Sequence, residues 1–252
     1  MLKVILLAGG KGERAKPFTE FSPKVMIPIN GKPVIDYIVS HLVSFDVIDE
    51  VVIVCSKDHN YSDQIKGYFK GKEDLFGNKI CFVEETFEGT GGAVLSAESS
   101  LVGENKFLVW FGDNLVPLDV DALVHFHNSK RGIASVVVSS SKRTETGFVE
   151  VASDNLILSF KEKPVISLSE PECLGIYLFD SKIMSIIKEV AVGKRNINLS
   201  FDVLENLPAT KKLFSFDIKD LGWIDIESPV KAMRNSKVIN GILSKMRNDS
   251  SD

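Results

Sequence analysis

Cysteine is scarce here: three in 252 residues, at Cys55, Cys81 and Cys173. An odd number so widely spaced supports neither a disulfide framework nor a zinc site. The three read as small buried side chains in a reducing compartment. No apolar stretch approaches the roughly 20 residues of a membrane-spanning helix. The first residues do not form a signal peptide, since Lys3 sits inside the apolar pattern and Gly9-Gly10 interrupts it. No long basic tract occurs and the formal net charge is -4, which argues against a nucleic-acid surface. There is no internal repeat. A cytoplasmic, soluble protein with no nucleic-acid or membrane partner is therefore expected. The 44% hydrophobic content is enough for one large α/β domain, or a domain with a sizeable insertion. Only Asn248 to Asp252 reads as a disordered tail.

What the chain does have is an opening built for an anion. The apolar run Val4 to Ala8 is long enough for a buried strand, and it breaks into Gly9-Gly10-Lys11-Gly12. Arg14 and Lys24 follow, with Pro17 and Pro23 between them. A strand, a glycine loop and fixed cations form a phosphate-binding arrangement, in which backbone N–H groups face the anion. Three versions compete. A P-loop needs Lys-Ser or Lys-Thr after its last glycine, and Glu13-Arg14 stands there instead. A dinucleotide fingerprint is matched in spacing by Gly10, Gly12 and Ala15, but Pro17 and Pro23 oppose the helix it requires. A looser loop wrapping a nucleoside triphosphate, clamped by Arg14 and Lys24, meets neither objection.

Strands and helices then alternate. Asn30-Gly31-Lys32 reads as a turn, and Pro33 starts a helix carrying Val34, Ile35, Ile38, Val39 and Leu42 at helical spacing. Strands are expected at Glu50–Ser56, Lys79–Glu84, Phe107–Phe111 and Ala134–Ser139, with helices at Asp63–Phe69, Asp119–Lys130 and Ser181–Val190. His125 and His127 are placed on the surface of the second of these helices. The alternation predicts a Rossmann-like α/β three-layer sandwich with a mainly parallel central sheet, its ligand beyond the carboxyl ends of the strands. Gly147–Val151 and Leu156–Phe160 alternate around Asp154-Asn155 and predict a β-hairpin insertion. Glu88-Gly89-Thr90-Gly91-Gly92 opens a helix; it is either a turn with Thr90 as cap or a place where a flat base meets the backbone. Pro229 opens a terminal helix through Leu243, a core element or a contact in a homo-oligomer.

The motifs together resemble the sugar-nucleotide pyrophosphorylases, the sugar-1-phosphate nucleotidyltransferases. Ala8-Gly9-Gly10-Lys11-Gly12-Glu13-Arg14, Pro17-Phe18-Thr19 and Pro23-Lys24-Val25-Met26-Ile27-Pro28 follow that family's opening signature in order. Further likeness lies in Gly89-Thr90-Gly91, Gly112-Asp113, Glu162-Lys163-Pro164, Gly175-Ile176-Tyr177, Phe201–Leu207 (a helix in the family) and Gly222–Pro229. Glu13, Ala15, Cys173 and Glu227-Ser228 depart from the pattern, and Glu13 is assigned no role.

The resemblance implies a site. Arg14, Lys24, Asp113 and Asp225 would be catalytic, with Mg²⁺ held by Asp113 and Asp225. Ala8, Gly9, Gly10, Gly12, Glu85, Gly89, Thr90 and Gly91 would bind the nucleotide. Gly112, Gly147, Glu162, Lys163 and Gly175 would bind the sugar phosphate, Glu162 through hydroxyls and Lys163 through the phosphate. Residues 1–140 would then be a nucleotide half, 141–228 a sugar half and 229–247 a C-terminal helix of one domain. The expected reaction joins an NTP to a sugar 1-phosphate and releases pyrophosphate. A silent regulatory relative, an NAD-dependent oxidoreductase and transfer to a non-sugar phosphate are the alternatives.

Overall fold

The apolar runs of the sequence become neighbouring strands of one sheet. The computed structural model describes residues 1–10, 12–57 and 60–246; Lys11 and the expected tail lie outside the described residues. The strands are β1 (Leu2–Leu7), β2 (Pro28–Ile29), β3 (Lys32–Pro33), β4 (Ile48–Cys55), β5 (Ile80–Glu84), β6 (Lys106–Phe111), β7 (Asn114–Leu115), β8 (Ala134–Arg143), β9 (Phe148–Val151), β10 (Ile157–Lys161), β11 (Val165–Asp180), β12 (Leu213–Asp217) and β13 (Ile224–Asp225). The helices are α1 (Val34–Val43), α2 (Tyr61–Phe69), α3 (Gly89–Ser96), α4 (Val120–Lys130), α5 (Ile183–Ala191), α6 (Pro229–Arg234) and α7 (Ser236–Leu243).

Seven strands form the central sheet in the order β12-β8-β11-β6-β1-β4-β5. Four of its six pairings are parallel; the two antiparallel ones both involve β11. β11 runs back from the β9–β10 hairpin, so it needs no helical crossover to lie beside β8. Alternate side chains of β1 point to opposite faces. Leu2, Val4 and Leu6 join one core with Ile35, Ile38 and Leu42 of α1 and Ile239 of α7. Ile5 joins the other with Val94 of α3 and Ile183 and Ile187 of α5. Helices cover both faces, which is the expected three-layer sandwich.

The chain places β4 and β5 on one side of β1, then crosses back to set β6 on the other. That reversal opens a crevice at the carboxyl ends of β1 and β6.

Several expectations change. The terminal helix is two helices, because Asn235 leaves helical geometry at φ -105, ψ 19. Residues Leu199–Asn206 form a π turn and a 3-10 turn rather than an α-helix, with Asn198 capping the first by accepting from Ser200 and Phe201 N–H. His127 is buried, not superficial: its Nδ1 meets Ser135 Oγ at 2.9 Å, and burial pulls its pKa down. Cys55 is buried, but Cys81 is half-buried and Cys173 exposed. The hairpin forms as expected, with β9 and β10 antiparallel.

Candidate active site

Two strand ends are locked together first. Gly112 N–H donates to Leu7 O at 2.9 Å, tying the exit of β6 to that of β1. A Cβ at Gly112 would lie 2.7 Å from that same carbonyl, so only glycine allows the approach. Asp113 therefore leaves β6 directly beside the glycine loop. β7 then pairs antiparallel with β13, setting Asp225 opposite Asn114, and Ile226 N–H donates to Asp113 O at 2.9 Å. Two backbone segments remote in sequence thus carry their aspartates to one place.

Lys24 lies between them. It comes from the 3-10 turn Lys24–Met26 behind Pro23, and its amine donates to Asp113 Oδ2 and, at 3.4 Å, to Asp225 Oδ1. The lysine side chain is 16% exposed. Burial pulls its pKa down, but the Asp113 and Asp225 charges prevail and raise it. Burial, then the Asp113 charge, pushes the Asp225 carboxyl up to about 6. One amine does not fully offset two carboxylates held this close.

The loop is shaped by its neighbours. Ala8 N–H donates to Val54 O at 2.9 Å, anchoring the loop to β4. Gly12 has φ +58 and curls over Thr19, whose hydroxyl donates to Gly12 O at 2.9 Å. Glu85 leaves β5, its N–H donating to Cys55 O at 2.9 Å, and its carboxylate occupies the space a side chain at Gly9 would need. Gly10 faces open space. No helix follows directly: three 3-10 turns, Glu13–Ala15, Phe18–Glu20 and Lys24–Met26, carry the chain past both prolines. Glu13 pairs with Lys16 at 2.6 Å. Arg14 does not join Lys24; its guanidinium pairs with Glu227.

The remaining candidates divide. Gly175, at φ +66, is the bulge of β11, where a Cβ would lie 2.9 Å from both Asn114 Nδ2 and the Phe111 ring. It therefore abuts the Asp113 segment. Gly89 and Gly91 pack on Asn196 and Ile197, with Gly91 N–H donating to Ile197 O at 2.8 Å. Thr90 is not the cap of α3: Glu88 holds that position, and the Thr90 hydroxyl accepts from Leu199 N–H at 2.9 Å. Glycine there answers first to internal packing. Gly147 lies against Phe160 and Glu162 at the hairpin. Glu162 and Lys163 are exposed at its base. Lys163 has φ +46, and its carbonyl accepts from Arg143.

Sequence reasoning missed Asn114, Glu227 and Lys231. Asn114 is buried and donates to Leu174 O at 2.6 Å, strapping β11 to β7. Glu227 stands out in the sequence only as a departure from a pattern.

Asp113 and Asp225 could hold a divalent cation. Among the described residues no group of three or more His, Cys, Asp or Glu gathers as a metal cage. A pair of carboxylates suits Mg²⁺, which keeps several waters and takes phosphate oxygens alongside one or two carboxylates. Burial first, and the Asp113 charge second, oppose the ionised Asp225 carboxylate, and a bound cation would offset both. A cavity of about 550 Å³ lies elsewhere, against α2 and β5 among Lys66, Phe69, Ile80 and Phe82. It has no paired carboxylates beside a glycine loop, so the crevice is the candidate site on chemical grounds.

The comparisons with known proteins fit this geometry. The bifunctional protein GlmU of Methanocaldococcus jannaschii is 30% identical over 250 residues, covering 98% of this chain and 56% of that protein. The UTP–glucose-1-phosphate uridylyltransferase of Synechocystis sp. is 28% identical, covering 97% of this chain and 64% of that protein. The chain thus spans little more than half the length of GlmU and under two thirds of the uridylyltransferase. A crystal structure of a Bacillus anthracis protein assigned as a glucose-1-phosphate thymidylyltransferase superposes with a TM-score of 0.73 at 25% identity, covering 94% of this chain and 95% of that one. The sequence profile of the family described as nucleotidyl transferase (NTP_transferase) matches residues 3–235. A match of that extent makes this chain a member of the nucleotidyl transferase family.

Proposed function

We propose that the chain condenses a sugar 1-phosphate with an NTP, giving an NDP-sugar and pyrophosphate, in a Mg²⁺-dependent reaction. The observation that carries this reading is the meeting of Asp113 and Asp225 around Lys24, beside the β1 glycine loop. A phosphate oxygen of the sugar 1-phosphate attacks the α-phosphorus. The bond from that phosphorus to the bridging oxygen breaks, and pyrophosphate leaves with the electron pair. The nucleophile is ionised at neutral pH, so no general base is needed; positioning and charge neutralisation supply the rate.

Each residue has a task in this scheme. Asp113 and Asp225 would hold Mg²⁺, which would supply charge neutralisation at the attacked phosphate. Lys24 would stabilise charge on the phosphate oxygens. Arg14 faces the triphosphate, and backbone N–H groups of Gly9, Gly10 and Gly12 cradle it. Glu85 and the Gly89–Gly91 turn flank the nucleoside. Gly112, Gly147, Glu162, Lys163 and Gly175 form the sugar side, with Lys163 holding the sugar phosphate in line. The reaction belongs in the cytoplasm, where nucleoside triphosphates are available. Residues 1–140 serve the nucleotide, and 141–228 serve the sugar.

A pyrophosphate-release screen tests the reading. UTP, dTTP, GTP and CTP are crossed with a panel of sugar 1-phosphates and phospho-alcohols, with and without Mg²⁺. Glucose 1-phosphate with UTP or dTTP is the first pair to try. Release that needs one NTP, one phosphate acceptor and Mg²⁺ together is expected. Release from no pair, or release unaffected by chelator, contradicts it.

A further inference from the structure

We propose that Glu227 is a positioning residue for the phosphate loop, holding Arg14 in the orientation that meets the triphosphate. The inference rests on the reading of Arg14 as a triphosphate-binding cation.

The contacts are specific. Arg14 follows the glycine loop on the turn Glu13–Ala15, and its side chain is 80% exposed, apart from the Glu227 pairing. Its Nη1 donates to Glu227 Oε1 across 213 residues of sequence. The second Glu227 oxygen faces the Lys231 amine at 3.3 Å. Lys231 is itself fixed in the first turn of α6, where its N–H donates to Ser228 Oγ at 3.2 Å. Glu227 is 29% exposed, against 80% for the arginine it holds. The carboxylate is thus the anchored member and the arginine the tethered one.

Three physical points give the pair a role beyond surface decoration. A free arginine carries rotamer entropy that binding must remove, and a tether removes part of it beforehand. One carboxylate faces two cations, so Arg14 keeps positive potential for an incoming phosphate. And Glu227 lies two residues beyond Asp225, so one short segment delivers Asp225 to Asp113 and Glu227 to Arg14. The segment that carries Asp225 and the phosphate loop are registered to each other through this pair. As a stability device the pair is weak, since exposed ion pairs contribute little.

The test is a double-mutant cycle on the full chain with E227Q, R14Q and the double variant, using the substrate pair found by the pyrophosphate screen. E227Q should raise KM for the NTP by about tenfold, with kcat and the KM for the phosphate acceptor within about twofold and the melting temperature unchanged. R14Q should raise the same KM at least as far, and adding E227Q to R14Q should change nothing further. If R14Q leaves the NTP KM unchanged, Arg14 does not bind the triphosphate, and the underlying reading fails together with the inference. If R14Q is impaired while E227Q matches the parent, or the two effects add, the reading of Arg14 stands and the positioning role is overturned. A drop in kcat alone in E227Q also overturns it, because the carboxylate would then be acting on the Asp225 centre.

Discussion

Lys24 and Asp225 set the electrostatics of the crevice. The amine sits against two carboxylates, and Asp225 still titrates near 6 because burial and Asp113 both oppose its charge. The sign follows from linkage. The folded pKa lies above the unfolded value, so the stability that protonated Asp225 contributes is complete below about 4 and is lost as pH rises through about 6. Above that, two ionised carboxylates repel, and a divalent cation relieves them. Mg²⁺ should therefore raise the melting temperature more at about pH 8 than at about pH 5; a shift independent of pH would contradict this. Turnover is more demanding still. Asp113→Asn and Asp225→Asn should each lower kcat/KM by about a thousandfold, read by pyrophosphate release, without loss of the folded state by circular dichroism. Unchanged turnover in both variants would remove these residues from the chemistry.

At the level of elements, the site depends on close backbone approaches. Gly112 lets β6 touch β1, and Gly175 lets the β11 bulge touch Phe111 and Asn114. Gly175→Ala places a side chain at φ +66 against those groups, so it should cost about 1–3 kcal/mol in urea unfolding and lower turnover as well. An unchanged midpoint would show that the bulge relaxes freely. Much of this level was legible in the sequence. The apolar runs gave β1, β4, β5 and β6, and the break around Asp154-Asn155 gave the hairpin. Gly112-Asp113 and Asp225 stood out by their place after strands and in motifs. The β7–β13 ladder did not, because two-residue strands carry no periodicity. Nor did the Arg14–Glu227 and Asn114–Leu174 contacts, since each joins segments that no local pattern relates. His127 and Ser135 pair inside for the same reason: a polar group is buried when a distant strand offers it a partner. The division of the terminal helix at Asn235 had a faint signal, as asparagine is a modest helix former.

Across the whole molecule, the sheet fixes where the crevice can be. Its two faces are sealed by separate cores, so the carboxyl ends of β1 and β6 cannot move independently of the packing beneath them. Ile53 is fully buried in β4, beside β1. Ile53→Ala should cost about 2–5 kcal/mol of stability by urea unfolding, while KM for the NTP in the folded fraction stays near its parent value. A stability loss well under that range would mean that the core collapses around the gap. In the proposed reaction, Asp113 at the exit of β6 and Asp225 on β13 share one divalent cation. Titration of Mn²⁺, a spectroscopic stand-in for Mg²⁺, measures it directly by electron paramagnetic resonance, with a non-hydrolysable NTP analogue present. Asp113→Asn and Asp225→Asn should each weaken Mn²⁺ binding by more than about tenfold. Parent-like Mn²⁺ affinity in either variant would contradict the shared site.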